Sequence, residues 1–135
     1  MPAPVALVTG ASSEIGSATA RRLAALGHDL ALFGRDPGRL TAAAEQCTAL
    51  GIRVTVTTVD LTDPVAAGAA VDRVVDELGP PRAVVAAAGV FDWAPADRAD
   101  PETWAHLVGL DLTATMRLTR AVLPLLQQHA SSSLV

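Results

Sequence analysis

Hydrophobic positions along the chain fall into two alternating patterns. Short apolar runs recur at Val5–Val8, Leu30–Phe33, Val54–Val59 and Ala83–Ala88. Between them lie longer Ala- and Leu-rich stretches with apolar residues at helical spacing, as at Ile15, Ala18, Leu23 and Leu26. The runs read as strands buried on both faces, and the stretches as helices covering them. A first helix is expected over about Glu14–Leu26, stopped by Gly27, and a second over about Pro37–Leu50, stopped by Gly51. Asp63-Pro64 is an N-cap followed by proline, opening a third helix that runs to Leu78 and ends at Gly79-Pro80-Pro81. Asp100-Pro101, with Glu102 in the first turn, opens a short helix to Leu107. A longer one follows over Leu112–His129, loosened near its end by Pro124.

Strand, helix and strand repeated at these intervals predict right-handed crossovers and an α/β fold with a doubly wound parallel sheet. The expected strand order is 3-2-1-4, with the chain reversing direction at the first strand. Ligands in such sheets sit outside the carboxyl ends of the strands at the reversal, where the loops after Val8, Phe33, Val59 and Ala88 converge. Ser131–Ser133 is a polar break, and Leu134-Val135 reads as the opening of a fifth, truncated strand. No linker, repeat or low-complexity tract divides residues 1–135, which are expected to form one domain.

The strand–turn–helix at Thr9-Gly10-Ala11-Ser12-Ser13-Glu14-Ile15-Gly16 carries the clearest chemistry. A tight glycine turn before a helix N-terminus leaves backbone N–H groups free, and the helix dipole favours an anion such as a pyrophosphate. Gly10 permits the turn, Gly16 the close packing of the helix, and Ser12 and Ser13 can cap the helix or bond a phosphate oxygen. Glu14 either points to solvent in the first helical turn, where the dipole favours it, or repels the pyrophosphate and weakens binding.

Bulk composition narrows the partners. Half of the 135 residues are hydrophobic, and mean hydropathy is +0.37, as expected of a sheet covered on both faces. A net charge of −4 with no basic stripe argues against nucleic acid. Cys47 is the single cysteine and reads as a buried structural thiol. His28, His106 and His129 are scattered without metal-ligand spacing, so no metal is expected. No nucleophile elbow of a hydrolase is written. The N-terminus lacks a leader pattern and no apolar run reaches the ~18 residues of a membrane span, so a cytoplasmic location is expected.

With these motifs in place, the chain resembles the N-terminal half of the short-chain dehydrogenase/reductase family, whose nucleotide-binding fold is the Rossmann type. The family loop reads Thr-Gly-x-x-x-Gly-x-Gly; Thr9, Gly10 and Gly16 match, and Glu14 replaces the middle glycine. The resemblance implies an NADP(H)-binding oxidoreductase that interconverts an alcohol and a carbonyl by hydride transfer, with NAD as the alternative cofactor. It implies cofactor contacts at Gly10, Ser12, Ser13, Ile15, Gly16, Arg35, Asp60, Leu61, Ala88 and Gly89.

Several of these positions carry two readings. Where NAD-preferring relatives place an acid at the end of the second strand, this chain has Gly34 followed by Arg35, and a guanidinium suits a 2′-phosphate. The plainer reading is a solvated Arg35 paired with Asp36. Asp60 is expected to bond the adenine amino group, with Leu61 behind it; the alternative is a loop residue that caps the following helix, a task for which Asp63 is better placed. The family writes asparagine before Ala88-Gly89, where this chain has Ala86 and Ala87. Asp111 stands where the family has an asparagine that holds a proton-relay water, and is the one candidate catalytic position. Its carboxylate would add charge to a buried site; alternatively it is only a helix-breaking residue. Phe91, Trp93 and Trp104 are expected to pack the loop after the fourth strand onto the next helix, or to roof a substrate pocket.

The resemblance also implies a catalytic Tyr-x-x-x-Lys, which this chain cannot supply. It contains no Tyr, and its ten Lys-or-Arg positions are all arginine. The expectation is a cofactor site without turnover by this chain alone. A split enzyme completed by another chain, a nucleotide-sensing pseudoenzyme and a structural interaction module are the readings left open. The unfinished sheet edge and the apolar helix Leu112–Leu126 are expected to drive homo-oligomer formation or pairing with a complementing chain.

Overall fold

The computed structural model describes residues 1–135. The elements run β1 Val5–Thr9, α1 Glu14–Ala25, β2 Asp29–Gly34, α2 Pro37–Thr48, β3 Val54–Thr58, α3 Pro64–Leu78 and β4 Ala83–Ala86. They continue with α4 Pro101–Leu107, a π-helical segment Val108–Ala114, α5 Thr115–Leu126 and a short β5 Ser133–Leu134. The strands form one five-stranded sheet in the order β3-β2-β1-β4-β5. All its pairings are parallel, with Leu7 opposite both Ala31 and Val84. The expected order 3-2-1-4 is present, extended by β5.

Side chains of β1 and β2 alternate between two cores, as the pleat requires. Val5, Leu7, Ala31 and Phe33 meet Ala70, Val71 and Val74 of α3 and Leu118, Val122 and Leu126 of α5. Ala6, Val8, Leu30 and Leu32 meet Ala20 and Ala24 of α1 and Leu40, Ala43, Ala44 and Cys47 of α2. Small alanines on the helices let them approach the sheet closely. Both faces are thus covered, which explains why β1 and β2 are buried throughout.

The far end of the sheet is pinned by an ion pair. Asp29 is 5% exposed, and its carboxylate accepts hydrogen bonds from the Arg53 backbone N–H and Nε, each at 2.8 Å. Arg53 Nη2 adds a contact at 2.7 Å. A buried carboxylate needs such a partner, and the pair fixes the start of β2 against the start of β3.

Two helix starts follow the expected caps: Asp63 Oδ1 accepts from the Val65 and Ala66 N–H groups, and Asp100 Oδ1 from Glu102 N–H. Asp36 is a further cap, its Oδ1 accepting from Arg39 N–H at the start of α2. The C-terminal helices differ from expectation. Residues 108–111 do not separate two helices: the backbone passes through the π-helical segment, whose flanking Leu107 and Thr115 are themselves helical. Gly109 and Asp111 look like breakers in sequence, but a wider i→i+5 turn accommodates them without ending the helix. The final helix stops at Leu126 rather than His129, two residues after Pro124. No helix is long and apolar enough to cross a membrane.

Candidate functional site

The carboxyl ends of β1, β2, β3 and β4 are stitched to one another at their exit loops. Ala11 N–H bonds Phe33 O, and Val59 N–H bonds Gly34 O, both at 2.9 Å. The buried Thr9 Oγ1 accepts from Ala88 N–H at 3.1 Å. These ties surround a cavity of about 260 Å³. Of the positions expected to contact a cofactor, Gly10, Ser12, Ser13, Arg35, Leu61, Ala88 and Gly89 line it. Phe33, Gly34, Asp36, Arg39, Val59, Ala87 and Leu110 line it as well.

The glycine loop has its shape for steric reasons. Gly10 has φ +62, and a Cβ there would lie 2.6 Å from Ala87 O, so both the backbone conformation and the neighbour demand glycine. A Cβ on Gly16 would overlap the Gly10 carbonyl, so helix α1 rests directly on the loop backbone. Ser13 locks the turn: its Oγ donates to Gly10 O at 2.7 Å and accepts from Gly16 N–H at 3.0 Å. Ser13 is therefore the N-cap of α1. Ser12 Oγ makes no hydrogen bond, and its hydroxyl lies where a Cβ on Gly34 would meet it at 2.9 Å.

The backbone N–H groups of Ser12, Glu14 and Ile15 have no partner in the chain. Free amides at a helix N-terminus beside an open hydroxyl fit an anionic ligand such as a pyrophosphate. Gly16 itself is buried beneath the loop, and Ile15 is exposed at its rim; neither lines the cavity. Glu14 has ordinary helical backbone, since positive φ is confined to Gly10, Gly27, Gly51 and Gly79. Its side chain is exposed and lines a second cleft instead. That cleft, about 290 Å³ between α1 and α2, is bounded by Ser12, Ser13, Glu14, Ser17, Arg21, Arg39, Ala42, Ala43 and Gln46.

Arg35 is exposed at the end of β2 and forms no ion pair. The pairing of Arg35 with Asp36 considered from sequence does not occur. Asp36 faces Arg39 Nε instead, at 3.8 Å, because its own capping bond points it toward the first turn of α2. Asp60 is exposed outside the cavity, with the buried Leu61 carrying the wall. Asp60 Oδ1 accepts from Thr62 Oγ1 at 2.7 Å and Thr62 N–H at 2.9 Å, leaving Oδ2 free. The Thr62 hydroxyl and then its amide hold the Asp60 carboxyl below its ordinary value, against slight burial and with help from the charges of Arg35 and His106.

Asp111 lies in the π-helical segment, and its Oδ1 accepts from Val90 N–H at 2.9 Å. A Cβ on Gly89 would approach the same oxygen at 3.2 Å. The expectation of a buried charge is corrected: Asp111 is exposed, meeting the loop after β4 through the Val90 N–H while the rest of its carboxylate faces solvent. The aromatic residues also depart from expectation. Phe91 and Trp93 are 75% and 87% exposed and pack on each other edge to face, centroids 5.3 Å apart. No regular element lies between Ala86 and Pro101 to receive them. Trp104 is half exposed on α4.

Sequence reasoning overlooked Arg39 and Leu110. The Asp36-Pro37 start signal places Arg39 in the first turn of α2, beside the loop after β2, and was the clue to it. Leu110 had none, since only the π-helical turn brings it to the cavity.

Comparison with known proteins agrees with this geometry. The family model described as short chain dehydrogenase matches residues 4–135. The sulfoacetaldehyde reductase 2 of Chromohalobacter salexigens is 32% identical over 133 residues, which cover 97% of this chain and 52% of that protein. The crystal structure of NAD+-bound xylitol dehydrogenase aligns with TM-score 0.93 at 27% identity, over 98% of this chain and 52% of that one. A metagenomic short-chain oxidoreductase in complex with NADP aligns with TM-score 0.91 at 31% identity, over 99% and 61%. The chain spans about half the length of the curated relatives it matches.

Proposed function

The chain belongs to the short-chain dehydrogenase family, and on that premise we propose that it binds a nicotinamide dinucleotide, NADP(H) in preference to NAD(H). We propose further that these 135 residues, as one nucleotide-binding domain, do not turn over substrate alone. One observation carries the binding reading: Gly10, Ser12, Arg35, Leu61 and Gly89, from separate loops, line a single cavity. The free N–H groups of Ser12, Glu14 and Ile15 are the donors for the pyrophosphate. Arg35, with Gly34 in place of an acid, is the group for the 2′-phosphate. Asp60 Oδ2, left free by Thr62, is the acceptor for the adenine amino group, and Leu61 the apolar wall beside it. Ala88 and Gly89 offer backbone to the ribose, held by Thr9 and Asp111.

When bound, such a cofactor supplies hydride exchange between an alcohol and a carbonyl. That reaction needs a proton donor of tuned pKa, and this chain has neither a Tyr to hold the proton nor a Lys to lower its pKa. Asp111 is here a positioning residue: it holds the Gly89-Val90 backbone rather than touching a substrate. A cytoplasmic location and a homo-oligomeric or complemented state are carried in the same proposal, the latter supported by the exposed apolar side chains of α4 and α5.

Calorimetric titration with NADPH and NADH tests the binding reading; tighter binding of NADPH is expected, and heat from neither would overturn it. Spectrophotometric assay of NADPH oxidation with a panel of ketones tests inactivity. Turnover that survives further purification would overturn that part.

A further inference from the structure

Arg39 occupies a junction. It lines the cavity at the strand ends and also the second cleft between α1 and α2, and it shares both with Ser12 and Ser13. No other cation borders both spaces: Arg35 lines only the first and Arg21 only the second. The Ser12 hydroxyl at this junction has no hydrogen-bond partner, and the strand end beside it is Gly34, which contributes no side chain. The junction therefore holds a guanidinium, a free hydroxyl and space, with no carboxylate from the strand end to compete.

One carboxylate does restrain Arg39. Asp36 Oδ1 is committed to the capping bond with the Arg39 N–H at 3.0 Å, and Oδ2 lies 3.8 Å from Arg39 Nε. That separation is beyond hydrogen-bond length, and the two side chains are 54% and 76% exposed. Exposed pairs of this kind hold weakly. A phosphate dianion with several acceptor oxygens draws a guanidinium from such a partner.

We propose that Arg39 sets the preference for NADP(H) over NAD(H): its guanidinium parts from Asp36 and clamps the 2′-phosphate from the junction of the two clefts, together with the Ser12 hydroxyl. This rests on the nucleotide reading above and deepens it: Arg35 meets the 2′-phosphate from the cavity wall, and Arg39 is a second guanidinium that moves onto it from the junction. Asp36 then opposes NADP(H) binding in the free chain, because its charge must be given up before Arg39 engages.

The test is calorimetric titration of the full chain with NADP+ and with NAD+, comparing Arg39→Ala, Asp36→Asn and Arg22→Ala. Asp36→Asn keeps a capping side chain while removing the charge. Arg22 lines neither cleft and reports the general loss of one positive charge. The expected result is a loss of roughly tenfold or more in NADP+ affinity for Arg39→Ala, the scale of one charged hydrogen bond, with NAD+ affinity unchanged. Asp36→Asn is expected to bind NADP+ more tightly, and Arg22→Ala to leave the ratio of the two affinities as it was. Equal losses for both dinucleotides in Arg39→Ala, or no loss at all while the wild type binds NADP+, would overturn this inference and leave the nucleotide reading standing. A wild-type chain that binds neither dinucleotide would overturn both.

Discussion

The Asp111 carboxylate accepts a hydrogen bond from the Val90 N–H at 2.9 Å, joining the π-helical turn to the exit of β4. Two residues earlier, Ala88 N–H donates to Thr9 Oγ1 at 3.1 Å. Alternate amides of the exit are thus held from opposite sides, by β1 and by the last helical rod. Ala86 and Ala87 offer no side-chain amide of their own, so order at the Ala88-Gly89 wall comes from these two acceptors.

Replacing Asp111 with alanine should therefore loosen the wall without changing any residue that lines the cavity. A single hydrogen bond of this kind contributes about 0.5–1.5 kcal/mol, so Asp111→Ala should lower stability by that amount and weaken dinucleotide binding. Asp111→Asn keeps an acceptor oxygen in place and should lose little. Urea denaturation and calorimetry on the two variants check this. Equal losses in both would mean that the charge, not the hydrogen bond, matters.

Much of this was legible in the chain because it depends on local signals. Apolar runs, aspartate–proline caps and glycine stops fixed the order of elements through β4, and the crossover rule fixed their hand and order. The glycine turn was legible because Gly10 has no substitute at φ +62. What was not legible depends on tertiary contact. The π-helical turn reads as a break at Gly109 and Asp111, since nothing local announces i→i+5 bonding. Arg39 looks like any helix-surface arginine until the loop after β2 is folded against the glycine loop. Phe91 and Trp93 read as core by composition, yet this chain offers them no apolar surface except each other.

Glu14 sets two effects against each other. In the first turn of α1 its charge interacts favourably with the helix dipole, by about 0.3–1 kcal/mol. The same charge opposes an anion at the free N–H groups beside it. Glu14→Gln should therefore lower thermal stability slightly and raise NADP+ affinity by roughly two- to fivefold, the equivalent of that energy. The gain should shrink as salt is added, because the carboxylate is exposed and its field is screened. Titrations at low and high ionic strength measure it; a gain that is independent of salt would point to steric relief instead.

Asp60 gives a prediction with a definite sign. The Thr62 hydroxyl and amide stabilise its ionised form, so its folded pKa lies below the ordinary carboxylate value of about 3.9. A depressed folded pKa contributes stability that is present above the unfolded value and is lost as pH falls through the folded one. Asp60 therefore stays ionised, and able to accept from an adenine amino group, throughout the mildly acidic range. Thr62→Val removes the larger contribution and retains the backbone bond, so the titration midpoint of the Asp60 carboxyl should move upward. NMR titration of that carboxyl in both proteins reads the shift directly; an unmoved midpoint would remove Thr62 as its cause.

The outer face of the last helical rod provides the final prediction. Trp104, Val108, Leu112 and Met116 are all exposed and spaced four residues apart, and Leu123 extends the row. A four-residue step over-rotates an α-helix and under-rotates the wider π turn. The row therefore stays on one side from α4 into α5 instead of winding around it. Leu118, Val122 and Leu126 cover the sheet from the opposite side, so the exposed row has no partner within the chain. A contiguous apolar strip of this kind favours association. The chain should self-associate as its concentration rises, and the double substitution Leu112→Glu, Met116→Glu should shift it toward monomer. Because both residues are exposed, circular dichroism should be unchanged. Sedimentation velocity across a concentration series measures the effect; a wild-type monomer at the highest concentration would show that this face is not the contact.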